Sequence, residues 1–418
     1  MANQIDSSAP EAMLMFYRKL YPFKSIYNWL NHDQMPTKLF THREFAFTLQ
    51  GDVYLRYKSF NSAEDLKKDI CHLNPTRFEI GPVYSARPRD KKTIRPGGLT
   101  PLLRELVFDI DMTDYDPVRT CCSEANICKR CWAFISAAVK VLDHSIRDHF
   151  GYEKLLWVYS GRRGIHLWIS DKEAMELTDQ QRKAIVGWMN VVSIGSKEAS
   201  KRLNIRTASK VLPPPIQDAL VQLVSTFTDL ILEDQDCFAS ESGYETLLEF
   251  IPNATVVSNL RNAWEKDPER SSEDKWEDLK QQVKQVDRNS PQRVQLKQAM
   301  EDIILHYTYP RIDAEVSKHR NHLLKAPFCI HPKTGRVCVP VDPSKIDEFD
   351  PEKVPTVSQL LTELDEFIPV DGEEKPSDED LVERTSLRPY VQMLDQHAAG
   401  LMTVKRETKQ DPDAALTW

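Results

Sequence analysis

Strand-forming patterns in this 418-residue chain occur in three separated stretches, residues 44–110, 155–170 and 311–341, and a long block of helical periodicity lies between the second and third. A sheet built from such pieces joins residues distant in sequence, so the pattern predicts an α/β (α+β) core interrupted by a helical subdomain. In the first stretch FAFTLQGDVYLRYKS alternates, and Gly51 with Asp52 supplies a turn. That predicts a hairpin whose second strand shows Val53, Leu55 and Tyr57 on one face and Tyr54, Arg56 and Lys58 on the other. Glu44, just before the first strand, falls in register with Ala46 and Thr48 on the polar side. LLWVYSGRRGIHLWIS (155–170) predicts a second hairpin turning at GRRG, and the third stretch contains the turn HPKTGR. Ile216, Leu220, Leu223, Phe227 and Leu230 keep a helical repeat, as do Trp276, Leu279, Val283 and Val286, and then Leu296, Met300, Ile303 and Tyr307. PPP at 213–215 stands where the first of these helices starts.

The expected division follows from these patterns. Residues 1–185, with the cysteine-rich segment 121–131, form the first part of a core; 186–305 form the helical subdomain; 306–350 complete the core. Residues 351–418 are expected to be a tail with an acidic linker, EEKPSDED (373–380), and a short helix at LRPYVQMLDQHAAGL.

The formal net charge is -8, so any contact with nucleic acid must use a local basic surface rather than a basic chain. No apolar run approaches the roughly 18 to 20 residues of a membrane span, and the N-terminus lacks the basic start and apolar middle of a signal peptide. The expectation is a soluble intracellular protein with no membrane contact.

LVFDIDMTDYD (106–116) begins as a buried strand and then carries Asp109 and Asp111 on one face, their Cα atoms roughly 6.5 to 7 Å apart. Two ionised carboxylates that close repel unless a cation lies between them or one takes up a proton. Mg²⁺ or Mn²⁺ is the natural cation, while solvated aspartates at a strand end are the plain structural account. In YPRIDAEV, alternation would put Arg311, Asp313 and Glu315 on one face, making Asp313 a third carboxylate on an extended segment. Three carboxylates can hold two cations about 3.5 to 4 Å apart, the arrangement that nucleotidyl transfer uses.

Neither GxxxxGK[ST] nor GxGxxG occurs, so side chains must supply the charge for any phosphate. SGRRGIHLW offers Ser160, Arg162, Arg163 and His166, and LLKAPFCIHPKTG adds Lys325 and His331. An ordinary exposed hairpin turn explains GRRG equally well. The loop ARPRDKKTIRPGG (86–98) could track a nucleic-acid backbone, against the simpler account of a surface loop. CCSEANICKRC places Cys121, Cys122, Cys128 and Cys131 at a spacing suited to a closed, structural Zn²⁺ site, with free thiols as the alternative. Cys71, Cys237, Cys329 and Cys338 are isolated and expected to be packing residues.

Taken in order, HREFAFTL, VYLRYKSF, LVFDIDMTDYD, the cysteine cluster, VYSGRRGIH and RID…HLLKAPFCIHPKTGR resemble the family of catalytic small subunits of eukaryotic DNA primase, over most of residues 10 to 350. The resemblance implies a prim fold, a modified RRM-like core with a helical subdomain and a structural zinc site. It implies a primase, a DNA-directed RNA polymerase that starts DNA replication by making short RNA primers from ribonucleoside triphosphates on single-stranded DNA. By position, the family's metal-binding aspartates fall on Asp109, Asp111 and Asp313, with two Mg²⁺ or Mn²⁺ ions. Its nucleotide-contacting residues fall on Ser160, Arg162, Arg163, His166, Lys325 and His331, with Glu44, Tyr54 and Arg56 near the initiating nucleotide. Its zinc ligands fall on Cys121, Cys122, Cys128 and Cys131. The implied partners are the primase large subunit and the DNA polymerase alpha complex, and the implied location is the nucleus. Two other readings stand beside it: a repair-type primase-polymerase that accepts deoxynucleotides, and a non-catalytic zinc-containing subunit that binds nucleic acid.

Overall fold

The computed structural model describes residues 9–192, 206, 211–366 and 378–410. The chain forms two compact units: Met1–Asp109, Tyr152–Ile185 and Ala314–Trp418 in one, Ile110–Gly151 and Val186–Asp313 in the other.

The first unit is built on sheets. The expected hairpin is present as β1 (Arg43–Thr48) and β2 (Tyr54–Lys58), antiparallel about a 3-10 turn at Gln50–Asp52. Gly51 holds φ +74 there, a conformation that favours glycine. β3 (Arg77–Tyr84) pairs antiparallel with β1 on one side and, on the other, with β4 (Pro101–Leu103) and β8 (Leu324–Lys325). A second sheet has the order β5 (Leu106–Asp111), β7 (Gly164–Ile169), β6 (Leu155–Tyr159), β9 (Pro340–Val341). β6 and β7 are the GRRG hairpin, in antiparallel register from Leu155↔Ile169 to Tyr159↔Ile165. The architecture is thus mixed helix and antiparallel sheet, in the class the sequence predicts.

Helix Phe23–Asn31 packs on this core through Trp29, whose ring meets Trp168 edge-on at 5.2 Å while its N–H donates to the Ser170 hydroxyl. The helix expected to be short near the C-terminus instead runs from Arg388 to Gln410. Leu387, Val391, Leu394, Ala398 and Leu401 are buried at helical spacing, so the segment belongs to the packed unit and not to a tail. Residues 373–377 of the acidic stretch lie outside the described residues, and Asp378–Glu383 is helical.

The second unit is helical, and it takes in more than the expected 186–305. Helix Lys129–Phe150 and the cysteine segment before it, expected with the first part of the core, group here. The reason is packing: Ala137 and Val141 share a buried cluster with Val191, Leu212, Ile216, Leu223 and Leu305. Helix Pro214–Thr226 starts at the predicted prolines and runs directly into a π-helical stretch, Phe227–Asp234. Helices Ser272–Gln285 and Pro291–Thr308 bear the other predicted stripes, with Val286 just beyond the end of its helix.

Candidate active site and metal centre

β5 presents its residues as the period of two requires: Leu106, Val107, Phe108 and Ile110 are buried, Asp109 and Asp111 half-buried on the shared face. One Asp111 oxygen accepts from the Thr113 amide (2.9 Å) and hydroxyl (2.8 Å), capping the turn that ends the strand. Asp109 Oδ1 lies 3.5 Å from His166 Nε2 on β7. Burial, with Lys325 adding to it, pushes His166 down to about 3. The imidazole is therefore neutral at pH 7, and its contact with Asp109 is not an ion pair.

Asp313 does not lie on the strand that the sequence predicts. Residues 310–313 have no strand pairing, and Asp313 immediately precedes helix Ala314–Lys318. The alternation that put Arg311, Asp313 and Glu315 on one face therefore fails. Arg311 is buried and donates to the Asp114 and His306 carbonyls, while Glu315 faces Lys318 on the helix. Burying a guanidinium there satisfies the bend from helix Pro291–Thr308 at its backbone, which a strand would have satisfied by a ladder.

The basic set is drawn together within the first unit. Lys325 Nζ donates to the Ser160 carbonyl (3.0 Å), and Thr334 donates to the Gly161 carbonyl (2.7 Å). Gly161 has φ +87, and a Cβ there would stand 2.7 Å from His331 Cβ, so the turn admits only glycine without movement. His331 is pushed down to about 4, first by burial and then by Lys325, Arg162, Arg163 and Lys333. That sum of like charges around one imidazole is a surface prepared for an anion. The Ser160 hydroxyl accepts from the Gly164 amide, closing the hairpin (3.0 Å), so part of its capacity is structural.

Glu44, Tyr54 and Arg56 form an adjoining group. Glu44 lies within β1 rather than before it and is fully buried; it accepts from Arg56 (2.9 Å), Tyr84 (3.0 Å) and the Tyr57 amide (3.1 Å). The predicted alternation of β2 breaks at Tyr57, whose φ is +62, opposite a register shift in β1. Tyr54 donates to Glu79, and Glu79 sits opposite Lys325 in the β3–β8 pair. Tyr54 and Lys325 therefore lie on one sheet, joined through Glu79.

Sequence reading missed what anchors β5. Glu105, just before the strand, accepts from Arg43 through both oxygens (2.7 and 2.9 Å) and from Arg104 (2.9 Å). Arg182 donates to the Arg104 and Glu105 carbonyls. Burial pushes the Glu105 carboxyl up, but Arg43 and Arg104 together outweigh it and hold it at about 2. The only available signal was the pair Arg104–Glu105 standing before an apolar strand.

The cysteine segment lies in the second unit. Cys121, Cys122, Cys128 and Cys131 have ligand sulfurs all within 4.8 Å of one another. The Cys128 sulfur is 3.6 Å from that of Cys121 and 3.8 Å from that of Cys131. A tetrahedral Zn²⁺ with bonds of about 2.3 Å would set its sulfurs about 3.8 Å apart, whereas a disulfide would need about 2.05 Å. The donor set and spacing fit the metal. Burial pushes Cys131 up to about 12 and Cys122 to about 11, with neighbouring sulfurs adding to it; a divalent cation reverses that balance by binding thiolates. Cys237, Cys329 and Cys338 are buried packing residues, and Cys71 is half-buried.

A family model described as DNA primase small subunit matches residues 108–343. The DNA primase small subunit of Schizosaccharomyces pombe is 52% identical over 355 residues, 85% of this chain and 78% of the relative. That of Saccharomyces cerevisiae is 40% identical over 426 residues, 99% of each chain, and that of Drosophila melanogaster 40% over 357 residues, 84% of this chain and 81% of the relative.

Proposed function

Because this chain belongs to the DNA primase small-subunit family, we propose that it is the catalytic subunit of a primase that makes short RNA primers from ribonucleoside triphosphates on single-stranded DNA for replication. Its sheets and helical unit are read as a prim fold with an RRM-like core. In the reaction the 3′-hydroxyl of one nucleotide attacks the α-phosphate of the next; the new O–P bond forms as the bond to pyrophosphate breaks.

Asp109, Asp111 and Asp313 are the residues that would hold two Mg²⁺ or Mn²⁺ ions, which when bound would supply activation of the hydroxyl and offset pyrophosphate charge. The remaining work is done by this chain. Arg162, Arg163 and Lys325 pair with triphosphate oxygens, and neutral His166 and His331 donate hydrogen bonds to them, with the Ser160 hydroxyl beside them. Arg56, held by buried Glu44, and Tyr54 orient the initiating nucleotide. The cysteine centre is structural. The same reading gives the chain a primase large subunit and the DNA polymerase alpha complex as partners, and a nuclear location.

The observation that carries the reading is His166 standing 3.5 Å from Asp109 and close enough to Lys325 to feel its charge: a carboxylate for a cation and a cation for phosphate at one histidine. Dinucleotide synthesis on single-stranded DNA tests it. Asp109→Ala and Asp313→Ala should each lower the rate by about 10²-fold or more, with a marked preference for ribonucleotides. Activity equal to wild type in both variants would remove the metal assignment, and equal use of deoxynucleotides would favour a repair-type primase-polymerase.

A further inference from the structure

The cysteine segment is clasped by two side chains that the four-ligand description leaves out. Arg119 is fully buried, and every arm of its guanidinium is engaged. It bonds Asp116 through Nε (2.6 Å), the Asn126 carbonyl through Nη1 (2.8 Å) and the Glu124 carbonyl through Nη2 (2.9 Å). Nη1 also points at the Cys131 sulfur from 3.7 Å. Asp116 in turn accepts from the Glu124 amide (3.0 Å), so the loop between the cysteines is folded around this guanidinium.

Gln235 comes from the far end of the π-helical stretch and is 3% exposed. Its Oε1 accepts from the amides of Thr120 (2.8 Å) and Cys121 (3.3 Å). That fixes the side-chain amide: turned over, it would set N–H against N–H. Nε2 is therefore obliged to face the Cys121 sulfur, at 3.5 Å. Nε2 also donates to Asp234 (3.2 Å), which accepts from Arg130 (2.8 Å), and the Cys237 thiol donates to the Val118 carbonyl (3.2 Å).

Four thiolates around a divalent cation leave a net charge of about -2. In a partly buried site, N–H groups aimed at sulfur offset that charge and fix the ligands' orientation. We propose that Gln235 and Arg119 are the outer-shell positioning residues of the cysteine metal centre, and that metal loading fastens the segment Val118–Cys131 to the end of the π-helix. A π-helical turn changes register by one residue, and here the shifted end is what delivers Gln235. The inference rests on the metal reading of the cysteines and not on the primase reading.

The test uses the full chain loaded with zinc, challenged with a colorimetric chelator. Gln235→Glu keeps the shape but turns an oxygen toward Cys121, and Gln235→Ala removes the donor; each should release zinc about 10- to 100-fold faster than wild type. Arg119→Lys, which keeps the charge but cannot reach all its partners, should do likewise. Arg261→Ala, which removes an exposed ion pair with Glu245 away from the cysteines, should not. Hydrogen exchange gives a second reading: the Thr120 and Cys121 amides should be protected with zinc and exchange faster after chelation. Folded Gln235 variants that hold zinc like wild type, exchange that ignores the metal, or a wild-type chain that binds none would each overturn the proposal. If the Gln235 variants fail to fold, the exchange measurement on wild type alone decides.

Discussion

Arg43 and Arg119 are both guanidiniums with no exposed surface, one in each compact unit, and their counter-charges differ in kind. Arg43 faces Glu105, a carboxylate that the same cluster holds ionised, so that arrangement is complete within the chain. Arg119 has Asp116 for its charge, two backbone carbonyls, and a sulfur at longer range, and the sulfur carries its full negative charge only when the thiol is deprotonated, as metal binding requires. The Arg43–Glu105 contact thus needs nothing added, while the Arg119–Cys131 contact is strengthened by an added cation. Desolvation explains the difference: Glu105 is ionised because two guanidiniums outweigh its burial, whereas burial pushes the Cys131 thiol up and no fixed cation among the described residues outweighs it.

The largest effect that would break this comparison is at Glu105. Glu105→Gln leaves Arg43 and Arg104 buried without a counter-ion and should cost about 3 to 5 kcal/mol, measured by denaturant unfolding, and equally with or without a chelator. A loss under about 1 kcal/mol, or one that depends on zinc, would show that the array is not self-sufficient.

Acid should separate the buried carboxylate from the buried histidines by degree. Glu105 is lowered to about 2, so its stabilisation is complete above about pH 4.3 and is lost as the pH falls toward 2. His166, lowered to about 3, and His306, lowered to about 4 by burial and Arg311, act at higher pH. The unfolded state takes up their protons first, so stability present above about pH 6.5 is lost as the pH falls toward those values. At pH 5 each histidine accounts for up to about 2 kcal/mol, and His306→Gln should flatten the fall in unfolding free energy between pH 6.5 and 4. An unchanged slope in that variant would mean that His306 is accessible to protons in the folded chain.

The smallest effects sharpen the comparison by matching across it. Ser62 caps helix Ala63–Leu73 in the first unit, and Asn253 caps helix Ala254–Glu265 in the second. Replacing either by alanine should cost about 1 kcal/mol, alike in zinc-loaded and zinc-stripped protein. A cap whose cost changed with metal would mean that the centre's influence reaches much further than its own loop.

Local signals carried far in this molecule. The hairpins at 43–58 and 155–169 and the stripes of Leu279 and Leu296 obey short periods, which the chain displays without reference to anything distant. Asp109 and Asp111 were legible because a strand dictates which of its residues share a face. Asp313 was read onto a strand because YPRIDAEV alternates over a few residues, too short a run to tell an extended segment from the approach to a helix. The grouping of helix Lys129–Phe150 with the helical unit was not legible either, since Ala137 and Val141 state that they are buried and not against what.

Sequence alone determined the repertoire of this protein: which stretches form strands and helices, where carboxylates and basic side chains stand along them, and where four thiols crowd together. Only the tertiary structure decided their partners. Gln235 reaches Cys121 across 114 positions and Arg43 reaches Glu105 across 62, and no local period encodes such pairs. They form because a buried polar group must find its complement wherever the packed chain brings one within a bond's length.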